Sequence, residues 1–167
     1  MYKLIACDIK IFRLINEGCH CAFLDAVMPW CTLLGSAGFS LVIFLILVLA
    51  VPPIHGLPLF AAMAISQCCA HLIKYIGKRN RPHLALPGTR SGLRPSFFDP
   101  SFPSAHTAAI TSWAAFCAFT FPALVPLVIF LIALVGFSRI YMGQHYPSDV
   151  LVGALIGIVP AALIFYH

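Results

Sequence analysis

Apolar residues run along this chain in long blocks, and short polar breaks between them locate the elements. The clearest block is GFSLVIFLILVLAV, residues 38–51, which can lengthen backward through Leu33–Ser36. A Pro/Gly turn, VPPIHGLP (51–58), separates it from a second block at about Leu59–Ile76. Residues 77–102 form the one long polar segment, dense enough in Pro and Gly to predict a loop with a short helix. A third block runs from Ser104 to Phe121, a fourth, LVPLVIFLIALVGF, over 124–137, and a fifth from Pro147 to Phe165. Strand alternation is absent, which argues against a β-barrel. The pattern predicts an all-α integral membrane bundle of about five transmembrane helices, forming one domain over residues 1–167. Residues 18–35 supply a possible sixth span, although Glu17, His20 and Asp25 make it a poor one. Gly153 and Gly157 form a small-xxx-small face on the last block, read as helix packing.

Ahead of these blocks, residues 5–15 place Ile5, Ile9, Phe12 and Ile15 at helical spacing with polar residues between. This predicts an amphipathic helix over residues 1–17 lying in the membrane interface. Lys3, Asp8, Lys10 and Arg13 interrupt any apolar core of a signal peptide, so none is expected.

Composition sharpens the picture. The 167 residues are 61% hydrophobic and 9% charged, where a soluble domain carries about 25% charged residues. From Ala26 to Ile73 there is no Asp, Glu, Lys or Arg. The seven cysteines are read as small hydrophobes. Cys19 and Cys21 flank His20 without a second cluster at zinc spacing, so no metal site is expected. The expected partners are the bilayer and a membrane lipid, with no nucleic acid and no cofactor.

Counting crossings assigns the polar residues. The second span ends at Lys74 and the polar loop stays on that side; the third starts there with Ser104 and His106. The fourth returns to deliver Arg139, and the fifth leaves from His145 and Asp149. Lys74, Arg81, Ser104, His106, Arg139, His145 and Asp149 are therefore expected at one membrane face. Three cations there would repel one another unless an anion sits between them, and Arg and Lys suit phosphate oxygens. Ser104 is a good N-cap for a helix starting near Ala105, whose first N–H groups add to a phosphate cradle. His145 and Asp149 are four apart, on one face if helix has begun, so the carboxylate could fix the imidazole tautomer. His106 could serve as proton donor. Spacing alone leaves open which histidine attacks.

Three stretches carry a resemblance. Lys74-x6-Arg81-Pro82, Pro103-Ser104-Ala105-His106 and Ser138-Arg139-x5-His145-x3-Asp149 resemble the three-part signature of the type 2 phosphatidic acid phosphatase superfamily. The family usually has Gly where this chain has Ala105. The resemblance implies a metal-independent phosphomonoesterase or diphosphatase. It implies His145 as nucleophile forming a phosphohistidine, Asp149 orienting it, and His106 protonating the leaving group. Lys74, Arg81 and Arg139 would bind phosphate oxygens, helped by Ser104 and the Ala105 amide. The implied substrate is a lipid phosphate, first undecaprenyl diphosphate, with phosphatidylglycerol phosphate, phosphatidic acid and lipid A as alternatives. A lipid-phosphate binding or transport protein is the non-enzymatic alternative. All ten Lys and Arg residues fall on the motif side, which by charge alone would make it cytoplasmic. Bacterial relatives point instead to the outer, periplasmic face of the inner membrane.

Overall fold

The computed structural model describes residues 2–50, 56–92 and 99–167, and all regular structure among them is helical. In chain order these are α1 (Tyr2–Asn16), α2 (Ala22–Leu33), α3 (Ala37–Ala50), α4 (Gly56–Gly77) and the single turn α5 (Pro82–Ala85). Then come α6 (Ala105–Thr120), a 3-10 turn at Pro122–Leu124, α7 (Val125–Tyr141) and α8 (Pro147–Phe165). Most of the expected 51–58 turn, and residues 93–98 of the polar loop, lie outside the described residues.

Among the described residues, three helical stretches are individually long and apolar enough to cross a membrane: Gly56–Ala85, Pro122–Tyr141 and Pro147–Phe165. The expected block from Ser104 to Phe121 is the 16-residue α6. At 1.5 Å per residue it spans about 24 Å, less than the hydrocarbon thickness of about 30 Å. It needs no lipid-facing length, because most of its residues from Thr107 to Ala118 are buried by the surrounding helices. An apolar helix without a polar face belongs in such a place.

The first block differs from the expectation. It does not extend back through Leu33–Ser36, and residues 18–35 make no separate span. The 12-residue α2 and the 14-residue α3 are long and apolar enough to cross a membrane only together, as a pair bent by 56°. The break has two local causes. Ser36 Oγ accepts the Phe39 N–H at 3.2 Å, starting a new helix. Gly35 presses on the start of α6, where an added Cβ would lie 2.6 Å from the His106 carbonyl oxygen.

The outer surface is apolar, with Leu41, Leu49, Phe60, Ile129 and Leu155 all exposed. A surface of this kind matches lipid as solvent. Most of the α1 stripe faces the bundle. Phe12 is fully buried and packs with Ile140 and Tyr146, with Ile9 and Ile15 alongside. Ile9, Phe12 and Ile15 of the stripe therefore dock α1 onto α7 and α8, while its fourth member, Ile5, stays exposed with Ile11 and Leu14. Asn16 completes the docking by donating to the Tyr141 and Arg90 carbonyls at 2.7 and 3.0 Å.

The most extensive helix contact is between α6 and α8, and Gly153 and Gly157 make it possible. A Cβ at Gly157 would sit 2.6 Å from Thr111 Cβ and 2.7 Å from the Ala108 carbonyl oxygen. Gly157→Val should lower the thermal midpoint in detergent, at an overpacking cost of about 1–3 kcal/mol. An unchanged midpoint would show that the two helices can separate without loss.

Candidate active site

Four helix ends meet at one side of the bundle. The C-terminal ends of α4 and α7 bring Lys74 and Arg139, and the N-terminal end of α6 brings Ala105 and His106. His145 stands just before α8. A cavity of about 190 Å³ is lined by Lys74, Arg81, Ala105, His106, Arg139 and His145. The structure therefore brings together six of the eight residues singled out from sequence. Ser104 and Asp149 are fully buried behind this wall. Ser104 is the N-cap of α6, as its residue type suggests. Its Oγ accepts from the Thr107 amide at 3.3 Å and the Thr107 hydroxyl at 2.9 Å.

Local sequence explains how Arg139 and His145 are held. Gly143, with φ of +70°, takes the left-handed turn that ends α7. The amides of Gln144 and His145 both bond back to the Arg139 carbonyl, at 3.1 and 3.3 Å. The guanidinium and the imidazole are thus tied to one turn of backbone.

The imidazole finds a different partner from the one its spacing suggested. His145 Nδ1 lies 2.7 Å from the Ser101 carbonyl oxygen and 3.7 Å from Asp149 Oδ2, outside hydrogen-bond range. A carbonyl only accepts, so Nδ1 carries the proton and Nε2 keeps its lone pair. Asp149 acts on the surrounding chain instead. Its Oδ1 accepts from Arg79 Nη1 at 2.7 Å, and Oδ2 accepts from the Tyr146 amide at 2.8 Å and from the Ser101 hydroxyl. Asp149 thereby fixes the segment whose carbonyl holds His145.

Several members of this arrangement carry no sequence signal that marks them. Arg79 bridges Asp149 to Asp8 of α1, the latter at 2.6 Å, and its guanidinium lies 3.9 Å from the Tyr146 ring centre. Asp8 also accepts from the Ser148 amide at 2.9 Å and its hydroxyl at 2.6 Å, at the first turn of α8. Arg81 Nη1 donates to Gln144 at 2.6 Å, and Arg139 Nη1 donates to Thr32 of α2 at 2.9 Å. His71, one turn before Lys74, also lines the cavity.

Asp99 enters the cavity as well. Its carboxylate oxygens lie 2.9 and 2.8 Å from Lys74 Nζ, and one lies 2.5 Å from Arg81 Nη2. Burial pushes this carboxyl up, but Lys74 and Arg81 outweigh burial and hold it below its ordinary value. An anion for two of the three cations is therefore present as a side chain of the protein.

Known proteins resemble the chain over most of its length. The sequence model of the PAP2 superfamily matches residues 55–167. Undecaprenyl-diphosphatase BcrC of Bacillus subtilis is 31% identical over 162 residues, covering 95% of this chain and 82% of the relative. An undecaprenyl-diphosphatase of Sulfolobus acidocaldarius is 28% identical over 155 residues, covering 92% of this chain and 74% of the relative. The crystal structure of Aquifex aeolicus LpxE superposes with a TM-score of 0.85 at 27% identity, over 95% of this chain and 94% of that one.

Two expectations follow from the geometry. Burial, then the charges of Arg139, Arg81 and Lys74, holds the His145 imidazole well below its ordinary 6.5. The unfolded chain takes up that proton near 6.5 and the folded chain only at lower pH, so this stability is present above 6.5 and drains below it. The thermal midpoint in detergent should fall as pH drops below 6.5, and His145→Asn should flatten part of that slope. A wild-type midpoint indifferent to pH there would contradict it. Asp8→Ala, which lies outside the family match, should cost about 2 kcal/mol of stability through lost charge-assisted hydrogen bonds. It should also lower phosphatase activity; full activity would show that α8 holds its first turn without α1.

Proposed function

The chain belongs to the PAP2 superfamily, and from that premise we propose that it removes a phosphate from a polyprenyl diphosphate lipid, most readily undecaprenyl diphosphate, through a phosphohistidine on His145. That it is a multi-pass membrane phosphatase rests on the apolar helices and the relatives named as phosphatases. The observation that carries the finer reading is one cavity lined by three cations and three histidines, two of them His106 and His145 of the motifs.

The chemistry then runs as follows. Lys74, Arg81, Arg139 and the first N–H groups of α6 take the phosphoryl oxygens, where negative charge develops. The unprotonated Nε2 of His145 attacks phosphorus; a nitrogen–phosphorus bond forms and the phosphorus–oxygen bond to the leaving group breaks. His106, which the negative charge of a bound phosphate would favour in its protonated form, gives its proton to the departing oxygen. Neutral His106 next takes a proton from water, whose oxygen attacks the phosphohistidine. The nitrogen–phosphorus bond breaks, inorganic phosphate leaves, and both histidines return to their starting states. No step calls on a metal ion. Asp149 and Ser101 hold the nucleophile, and Ser104 holds the start of α6.

The lipid class follows from the surroundings. Pockets that bury a drug-sized ligand measure about 300–1,000 Å³, so the cavity of about 190 Å³ suits a phosphate headgroup and leaves the tail outside. A neighbouring apolar groove of about 210 Å³ between α3 and α4 shares Ala37, Gln67 and Ala109 with the cavity. A hydrocarbon chain lying there would carry its phosphate to His145. On the family resemblance alone, we place the cavity at the outer face of the inner membrane.

Purified protein in detergent with excess EDTA should release phosphate from undecaprenyl diphosphate faster than from phosphatidylglycerol phosphate, phosphatidic acid or lipid A. His145→Ala should lower the rate by about 10³-fold or more while lipid binding persists. Undiminished release from that variant would remove His145 from the mechanism, and a different preferred lipid would replace the substrate.

A further inference from the structure

Two of the three cationic side chains that would hold a substrate phosphate are already engaged. Lys74 Nζ gives its hydrogen bonds to both Asp99 carboxylate oxygens and, at 3.0 Å, to the Pro100 carbonyl. Arg81 gives Nη2 to the same carboxylate and Nε to the Asp99 carbonyl, at 2.8 Å. An ammonium has three protons, so Lys74 has none left for a phosphate oxygen in this arrangement. Arg139 differs: Asp99 does not bond to it, and its Nε is buried without a hydrogen-bond partner among the described residues.

Exposure separates the partners. The side chains of Lys74 and Arg81 are 6% and 5% exposed, whereas that of Asp99 is 46% exposed. The cations are held in the wall, while the carboxylate stands on the water side of them. It is ionised at neutral pH, because the two cations hold it below its ordinary value against the opposing effect of burial.

We propose that Asp99 is an internal anion that competes with phosphate for Lys74 and Arg81, and so sets how tightly the site holds both substrate and released phosphate. The proposal rests on the phosphatase reading of the cavity. A carboxylate and a phosphate dianion cannot take the same N–H groups at once, and side by side they repel. Apparent affinity falls by the fraction of time the donors are free; occupancy by Asp99 for about nine-tenths of the time weakens phosphate about tenfold. Arg139, left unengaged by Asp99, would make the first contact with an entering phosphate, and the carboxylate then yields Lys74 and Arg81. Once the lipid has gone, its return helps free phosphate to leave.

The sign of the effect distinguishes competition from support. If Asp99 only positioned Lys74 and Arg81, its removal would loosen them and weaken phosphate binding. Under competition, removal tightens it. The test uses the full chain in detergent and measures the inhibition constant of inorganic phosphate against hydrolysis of undecaprenyl diphosphate. Asp99→Asn removes the charge, Asp99→Ser removes charge and reach, and Asp99→Glu retains the carboxylate. The inhibition constant should fall about tenfold in the Asn and Ser variants and stay near wild type in the Glu variant. An unchanged or raised constant in whichever of the Asn and Ser variants folds overturns the proposal. Wild-type protein that hydrolyses no lipid phosphate sinks the phosphatase reading instead. The Asp99 comparison is then made by calorimetric titration with inorganic phosphate, with the same two outcomes.

Discussion

Three cationic side chains buried around one cavity require negative charge in their midst, and much of this fold is arranged around that constraint. Lys74, Arg81 and Arg139 are 5%, 4% and 4% exposed. Removing a charge from water without a partner costs several kcal/mol. The N-terminus of α6 adds the positive end of a helix to the same place. Such a field is tolerated because Asp99 answers two of the cations, while Thr32 and the cavity face the third. A site whose cations are answered by a carboxylate side chain is, under the proposed function, also suited to a substrate that carries negative charge.

A second network, of opposite sign, holds the histidine. Asp149 and Asp8 are buried carboxylates joined by Arg79, and Asp149 also binds the Ser101 hydroxyl and the Tyr146 amide. Its role is mechanical: it fixes the path of residues 99–104 across the start of α8. The Ser101 carbonyl on that path then selects the His145 tautomer. The same network ties α1 to the site through Asp8, so a helix that looks peripheral becomes part of the scaffold behind His145. A membrane setting favours this economy, because a polar group unpaired in hydrocarbon is costly.

The motif residues were legible in sequence for a topological reason. Each crossing reverses chain direction, so residues at successive span ends fall on alternate faces, and parity alone brought Lys74, His106, Arg139 and His145 together. Parity survives errors of length: α6 is shorter than a full span, yet it still reverses the chain. Other features were not legible. The bend between α2 and α3 depends on Gly35 meeting the His106 carbonyl, a contact between residues distant in sequence. The burial of Phe12 depends on α7 and α8 offering it a surface, which an amphipathic pattern cannot distinguish from lipid. The His145–Asp149 spacing suggested a direct bond, but an i,i+4 relation assumes helix from the first residue, and α8 begins only at Pro147.

What the sequence by itself determined is therefore the set of chemical groups, the all-helical membrane fold, and the face at which those groups gather. Hydrophobic block length and residue order suffice for these, because without strand alternation lipid leaves helices as the spanning form, and every crossing reverses the chain. The tertiary structure alone decided who bonds to whom: Ser101 to His145, Asp99 to Lys74 and Arg81, Asp8 to Arg79. Those pairings lie in the path of an irregular segment through a crowded, polar space. No periodicity governs that path, and each hydrogen bond on it is settled by competition among neighbours that come together only when the helices have packed.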